Sequence, residues 1–343
     1  VKDNRKTEYC LNCEQDLSQG EDYCPSCGQE NKIQKVPIGV FLEDLIASIL
    51  SFDGRFLRTL GPFFFQPGKL TMTFNKGQRK KYTHPIRLYL FSSLFYFFII
   101  GLVIPANILD DILSQDITLY EDETGGLDEL SPGERAELDS VLEFGSRNIP
   151  FFPTSEKTNR KDTLKKKVTW KELRFLSLDK EISNQEFATS LSQSYFHIDL
   201  PIGIEKKRNF VANSNLFIVQ SAKNLPLMMF ALLPFFALLL KILFYNAKLY
   251  YIEHLIHGLH LHALAYVVYG FSILLFLILG QSDFLPIQYS FYLVSLFAFI
   301  SIWRVHKQHW LSTLFKFLVL GFLYISILIF GVLTELYLSV LLL

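Results

Sequence analysis

The chain has 343 residues, half of them hydrophobic, with 33 phenylalanines and a mean hydropathy of +0.26. That composition excludes a single soluble globule of ordinary make-up. Lysine plus arginine equals aspartate plus glutamate at 33 each, so net charge selects neither nucleic acid nor an acidic partner, and the placement of charge carries the information instead.

The opening "VKDNRKTEYC" is polar and no apolar stretch follows it, so no signal peptide is expected ahead of Cys10. All four cysteines fall between residues 10 and 28, as Cys10-x-x-Cys13 and Cys24-x-x-Cys27 separated by ten residues. Each CxxC pair forms a tight turn that aims two thiolates at one metal ion, and two facing turns complete a tetrahedral site. Pro25 stiffens the second turn, and Gly28 permits a positive φ where the backbone leaves it. Residues 1–30 therefore read as a zinc ribbon whose structural zinc is held by Cys10, Cys13, Cys24 and Cys27. The competing reading, two disulfides, needs an oxidising compartment, which the charge topology below argues against. Four protein ligands leave no open position for catalysis, and metal binding supplies about 10 to 16 kcal/mol to a segment too short to fold on its own core. Its expected work is contact, with a protein partner, with another part of this chain, or with nucleic acid. Nucleic acid is the weakest candidate, because Glu8, Glu14, Asp16, Glu21, Asp22 and Glu30 make the ribbon acidic.

Residues 31–87 form a linker, an amphipathic segment and a basic membrane entrance. Apolar residues from Leu42 to Leu60 recur at helical spacing over 38–65, interrupted at Asp53-Gly54, which suits either an interfacial helix or a soluble amphipathic one. The basic residues Lys69, Lys76, Arg79, Lys80, Lys81 and Arg87 stop where an apolar run over 88–104 begins. A run of that length crosses a bilayer core of about 30 Å. Four further spans are expected in a membrane domain over 225–343: residues 225–245, 263–280, 284–303 and 314–343.

Lysine and arginine collect on the cytoplasmic side of membrane proteins. The basic entrance, Lys241 and Lys248, and Arg304, Lys307 and Lys316 all fall on one side of a five-span arrangement, whereas the loop "QSDF" has no positive charge. The expected topology is an N-terminus in the cytoplasm of a bacterial inner membrane, with residues 105–224 outside. That insertion holds an acidic block followed by a basic one and reads as a solvated, partly mobile domain; its final stretch, 208–226, has helical periodicity that continues into the second span. Glu335 is a lone acid near the outer end of the last span, suited to an interhelical contact. Trp303, Arg304 and Trp310 suit a lipid interface, and Pro234 marks a kink.

Seven of the eight histidines group on the cytoplasmic side: His84, then His254, His257, His260 and His262, then His306 and His309; His197 is outside. At 100° per residue, Glu253, His257 and His260 share a sector of roughly 60°, His254 flanks it and His262 points away. Imidazole with carboxylate is a ligand set for zinc or iron, so Glu253, His254, His257, His260, His262, His306 and His309 form a possible second metal site. The alternative is interfacial: apolar sequence begins only near Ala263, which puts the imidazoles at headgroup level as helix caps or lipid-phosphate contacts.

The head "CLNCEQDLSQGEDYCPSCGQEN", the segment "PGKLTMTFNKGQRKKYTHPIRLYLFSSLFYF" and "YIEHLIHGLHLHALAY" together resemble a family of uncharacterised bacterial membrane proteins, a domain of unknown function. The resemblance covers about two thirds of the chain and leaves the charged insertion aside. It implies an EHLxxxLHxH motif at Glu253, His254, His260 and His262, with an apolar residue at the position of His257. It implies inner-membrane location and zinc, and no activity.

The expected fold class is mainly α: a polytopic α-helical membrane protein of about five spans with a small N-terminal zinc ribbon. The leading functional reading is partner docking or membrane organisation through the ribbon. Two others stand beside it, a membrane metalloenzyme using the histidines and a transporter. No nucleotide-binding glycine loop, nucleophile elbow or metalloprotease helix occurs in the chain.

Overall fold

The computed structural model describes residues 6–18, 21–31, 55–103, 109–111, 113, 168–194, 196, 198, 200–279 and 285–342. The segment 38–54, most of the acidic block, most of the basic block, His197 and the loop 281–284 lie outside the described residues. Among the described residues the chain is helical, with β-pairing limited to isolated bridges. Its helices are α1 (Arg55–Phe65), α2 (Lys69–Asn75), α3 (Pro85–Val103), α4 (Trp170–Leu178), α5 (Asn184–Ser192), α6 (Ile204–Ala212), α7 (Ser214–Leu243), α8 (Tyr251–Ile278), α9 (Leu285–His306) and α10 (Trp310–Leu342). Five of them, α3 and α7 to α10, are long and apolar enough to cross a membrane. The protein is thus a helical membrane protein with five candidate spans among its described residues and a four-cysteine head.

The helices start earlier than the apolar runs. Pro85 opens α3 three residues ahead of Leu88, and its fixed φ suits a first helical position. Tyr251 opens α8 twelve residues ahead of Ala263, because the Glu253 carboxylate accepts the Tyr250 backbone N–H at 2.6 Å and ties down the first turn. Hydropathy marks where lipid-compatible sequence lies; caps mark where a helix begins. The stretch expected to be helical and to continue into the second span does so from Ser214, where α7 starts; ahead of it α6 ends at Ala212, with Asn213 between them.

The chain forms two compact units, residues 1–103 with 226–332, and 104–225 with 333–343. In the first, α3 packs along α8 through Leu88, Tyr89, Ile256, Leu259, Ala263, Leu264 and Tyr266. Tyr96 stacks on Tyr266 at 5.2 Å. A second cluster joins α7, α8, α9 and α10 at Phe236, Leu240, Phe244, Leu261, Ile302 and Leu320. Outward positions such as Leu94, Phe98, Phe315 and Phe322 are exposed apolar groups, as lipid-facing residues are. Ahead of α2, Gly68 has φ +79°, and a Cβ there would stand 3.1 Å from both the Ser301 carbonyl and the Val305 side chain. Only glycine lets this turn lie against α9.

The second unit is built on a different plan. Capping boxes at Thr169/Glu172 and Ser183/Glu186 start α4 and α5, and Trp170, Leu173, Phe187, Phe210 and Val211 form a core. Asp110 accepts the Trp170 indole N–H at 2.9 Å, the Ser214 hydroxyl at 2.7 Å and the Arg174 guanidinium. Glu335 accepts from Asn224 (3.2 Å) and Ser339 (2.6 Å), an interhelical contact between α7 and α10.

Candidate metal centre

The head is a repeat. Fourteen residues separate Tyr9 from Tyr23, Cys10 from Cys24, Cys13 from Cys27 and Gln15 from Gln29, and the backbone follows the same shift. Cys10 N–H donates to Gln15 O and Cys24 N–H to Gln29 O, both at 2.8 Å; Leu17 N–H donates to Glu8 O (2.9 Å) as Asn31 N–H does to Asp22 O (2.7 Å). Each copy is a small hairpin, bridged at Tyr9/Asp16 and Tyr23/Glu30. Each leaves its CxxC turn in the left-handed region, the second at Gly28 (φ 67°) and the first at Glu14 (φ 63°). A non-glycine residue there is strained, so the first turn is held by its surroundings.

The hairpins face each other. Cys10 Sγ lies 3.5 Å from Cys27 Sγ, and Cys13 Sγ lies 3.6 Å from Cys24 Sγ. All four sulfurs lie within 4.8 Å of one another. A tetrahedron of zinc–sulfur bonds has edges of about 3.8 Å, so the four thiols fit one ion, and the four free cysteines are not joined as disulfides. Burial pushes the Cys10 thiol up to about 12. At Cys24 burial acts in the same direction, but hydrogen bonds from the Cys27 and Ser26 backbone N–H groups and from the Cys13 and Cys10 thiols outweigh it and bring the group down to about 7. A bound cation would take the set to thiolates. Beyond the sulfurs the head buries little more than Leu17, so the ligands supply most of its core.

Three polar residues that spacing arguments pass over complete the head. Buried Asn31 donates to the Thr7 carbonyl (3.0 Å) and the Glu21 carbonyl (3.2 Å) and accepts from Thr7 N–H (3.0 Å), tying the two hairpins together. Gln29 Nε2 donates to the Gly77 carbonyl at 3.0 Å, and the Lys80 ammonium donates to the Gly28 carbonyl. The Leu11 side chain lies against Gly77, where a Cβ would meet it at 3.2 Å. The head is therefore seated on the turn between α2 and α3, immediately ahead of the first spanning helix. The fourteen-residue repeat was the available signal for the matching roles of Gln15 and Gln29; nothing near the cysteines points to Lys80.

The histidines disperse. The seven groups named from sequence do not converge on one point, and among the described residues only the four cysteines bring three or more ligand atoms of these types together. Glu253 is used as the cap of α8. His260 Nδ1 shares a 2.9 Å hydrogen bond with Thr71 of α2, beside a cavity of about 20 Å³ lined also by Gln66 and Ser301. His262 donates Nδ1–H to the Gly258 carbonyl (2.8 Å), which leaves Nε2 to accept the Tyr324 hydroxyl of α10 at 2.6 Å. His309 is exposed, with its ring 6.2 Å from that of Trp310. His84 packs edge-on to Phe74 at 5.8 Å, and burial, reinforced by Arg87 and Arg79, lowers it to about 4. His254, His257 and His306 alone meet: His306 Nε2 is 3.3 Å from His254 Nδ1, and the His257 and His306 rings are 5.5 Å apart. His254, His257, His260 and His262 are all buried by protein, which replaces the lipid-phosphate contact expected from hydropathy.

Residues 53–97 match the model of a family described as a protein of unknown function (DUF3667). The matched stretch takes in α1, α2, the turn that seats the head and most of α3. No curated protein and no solved structure matches the chain.

Proposed function

We propose that the head is a structural zinc ribbon that docks a protein partner at the membrane entrance, and that the helices anchor and organise it there. The observation that carries this reading is the closed four-cysteine cluster seated on the turn ahead of α3. Four thiolates around one ion leave no position for a substrate, so the head acts by contact. Tyr9 and Tyr23 stand 52% and 63% exposed at matching places on the two hairpins, amphipathic rings of the kind enriched at interfaces.

The membrane in this reading is a bacterial inner membrane, with the head in the cytoplasm and residues 105–224 outside. The lysine and arginine distribution supports that orientation. Labelling of intact and permeabilised cells with an impermeant thiol reagent tests it, after placing single cysteines in a chain whose native cysteines are protected by metal.

Crosslinked pull-downs with the wild type, Cys10→Ser/Cys13→Ser and Tyr9→Ala/Tyr23→Ala test the docking. Partners lost from both variants support it; the same partner set from all three chains refutes it. A second reading, a membrane metalloenzyme with its histidine site at the cytoplasmic lipid surface, draws on the buried meeting of His254 and His306.

A further inference from the structure

We propose that His254, His257 and His306 form a second metal site, for a first-row divalent cation, within the helices of the first unit. This stands independently of the docking reading, which concerns the cysteine head.

The geometry begins with His306. Its Nδ1 lies 2.9 Å from the Ile302 carbonyl and must carry the proton, so Nε2 presents a lone pair. A backbone carbonyl that fixes the tautomer in this way is the usual outer support of a metal-binding imidazole. The ring is clamped between Phe244 (4.3 Å) and His254 (5.3 Å), so the lone pair has one direction.

That direction is His254, whose Nδ1 is 3.3 Å away. Two nitrogens bound to one tetrahedral zinc at about 2.0 to 2.1 Å stand about 3.3 to 3.4 Å apart. The same separation also serves an N–H···N hydrogen bond, so the pair alone does not decide. The remaining nitrogens do more. Among the described residues His257 Nδ1 has no hydrogen-bond partner, although His257 is 0% exposed; His254 Nε2 is unpaired too, but it is not the nitrogen that meets His306. Buried polar atoms are almost always paired, so the unpaired His257 Nδ1 beside the His254–His306 pair calls for an explanation.

His257 holds Ser301 by Nε2 at 2.9 Å. Its nitrogens do not reach the other two closely enough to make a three-nitrogen cluster as they stand. Closing the site therefore requires the His257 ring to turn its unpaired Nδ1 onto the cation. Three neutral imidazoles suit zinc, cobalt, nickel, copper or iron and leave a fourth position for water or an anion. The other four groups named from sequence are engaged elsewhere: Glu253 at the helix start, His260 with Thr71, His262 with Tyr324, and His309 at the surface.

The test is cobalt loading of the full chain in detergent, with metal per chain and absorption both measured. Wild type is expected to hold two ions. Cys10→Ser/Cys13→Ser/Cys24→Ser/Cys27→Ser is expected to hold one, losing the thiolate-to-cobalt charge-transfer absorption while keeping the visible bands of a nitrogen-ligated ion. His254→Gln/His306→Gln, with the cysteines intact, is expected to hold one and keep the charge-transfer absorption. A wild type that holds a single ion, or a histidine variant that holds as many as wild type, overturns the proposal. The histidine variant keeps the ribbon intact, so the comparison stands even where the four-serine chain fails to fold.

Discussion

The cysteine head and the start of α8 both crowd metal-binding residue types into a short stretch, yet one converges and the other scatters. In the head, two tight turns reverse the chain and aim neighbouring side chains at one point. On α8 the helix rotates each successive histidine to a new bearing, so His260 meets α2, His257 and His254 meet α9, and His262 meets α10. Proximity in sequence becomes proximity in space where the backbone turns back on itself. Along a straight helix it becomes divergence, and the partners come from far along the chain.

The strongest way to sharpen the contrast is to remove the metal. Chelation, or Cys10→Ser/Cys13→Ser, is expected to unfold the head, withdrawing about 10 kcal/mol or more of apparent folding energy, while the helices stay folded. Limited proteolysis of residues 6–31 together with far-ultraviolet dichroism reads the two outcomes separately; dichroism falling along with the head would break the distinction.

Acid is the next largest expected effect, and His84 isolates it. Its native value of about 4 lies below the ordinary 6.5, so the unfolded chain binds the proton more readily. The stability this neutral imidazole allows is complete above about pH 6.5 and lost as pH falls toward 4, to the extent of about 3 kcal/mol. Melting of wild type and His84→Gln across pH 4 to 7 should show a shallower acid slope in the variant. Parallel curves would exclude His84 as the source.

Smaller effects come from the scattered histidines as packing elements. His262→Phe keeps the ring's bulk but strands the Tyr324 hydroxyl, at an expected cost of about 1 to 3 kcal/mol. His262→Phe/Tyr324→Phe removes both partners and should recover most of it; a double variant as unstable as the sum of the two singles would show that the hydrogen bond is not what the pair contributes. The smallest expected change is Glu253→Ala, about 0.5 to 1 kcal/mol from loss of the cap, with metal content unchanged. Loss of metal in that variant would return Glu253 to the ligand set.

The same contrast marks how far the sequence could be read. The five spans were legible because length and hydropathy are local properties. The cysteine cluster was legible because a CxxC turn is its own geometry. Helix starts were not, since Glu253 acts on the Tyr250 backbone ahead of the apolar run. Neither were the fates of the histidines: Thr71 and His260 are 189 positions apart, and no periodicity on α8 announces which helix will face which imidazole. Lys80 escaped notice for the same reason, as a residue counted among basic membrane neighbours that in fact reaches the Gly28 carbonyl.

The two hairpins of the head also carry their own internal control. Leu11 and Glu14 in the first stand where Pro25 and Gly28 stand in the second, and Leu11 and the Gly28 carbonyl are contacts to the turn ahead of α3. A head built from two copies of the second hairpin would keep every sulfur and every backbone bond of the repeat but give up the Leu11 contact. The two copies thus grip the ion through equivalent residues and the turn ahead of α3 through different ones, Leu11 in the first and Gln29 with the Gly28 carbonyl in the second.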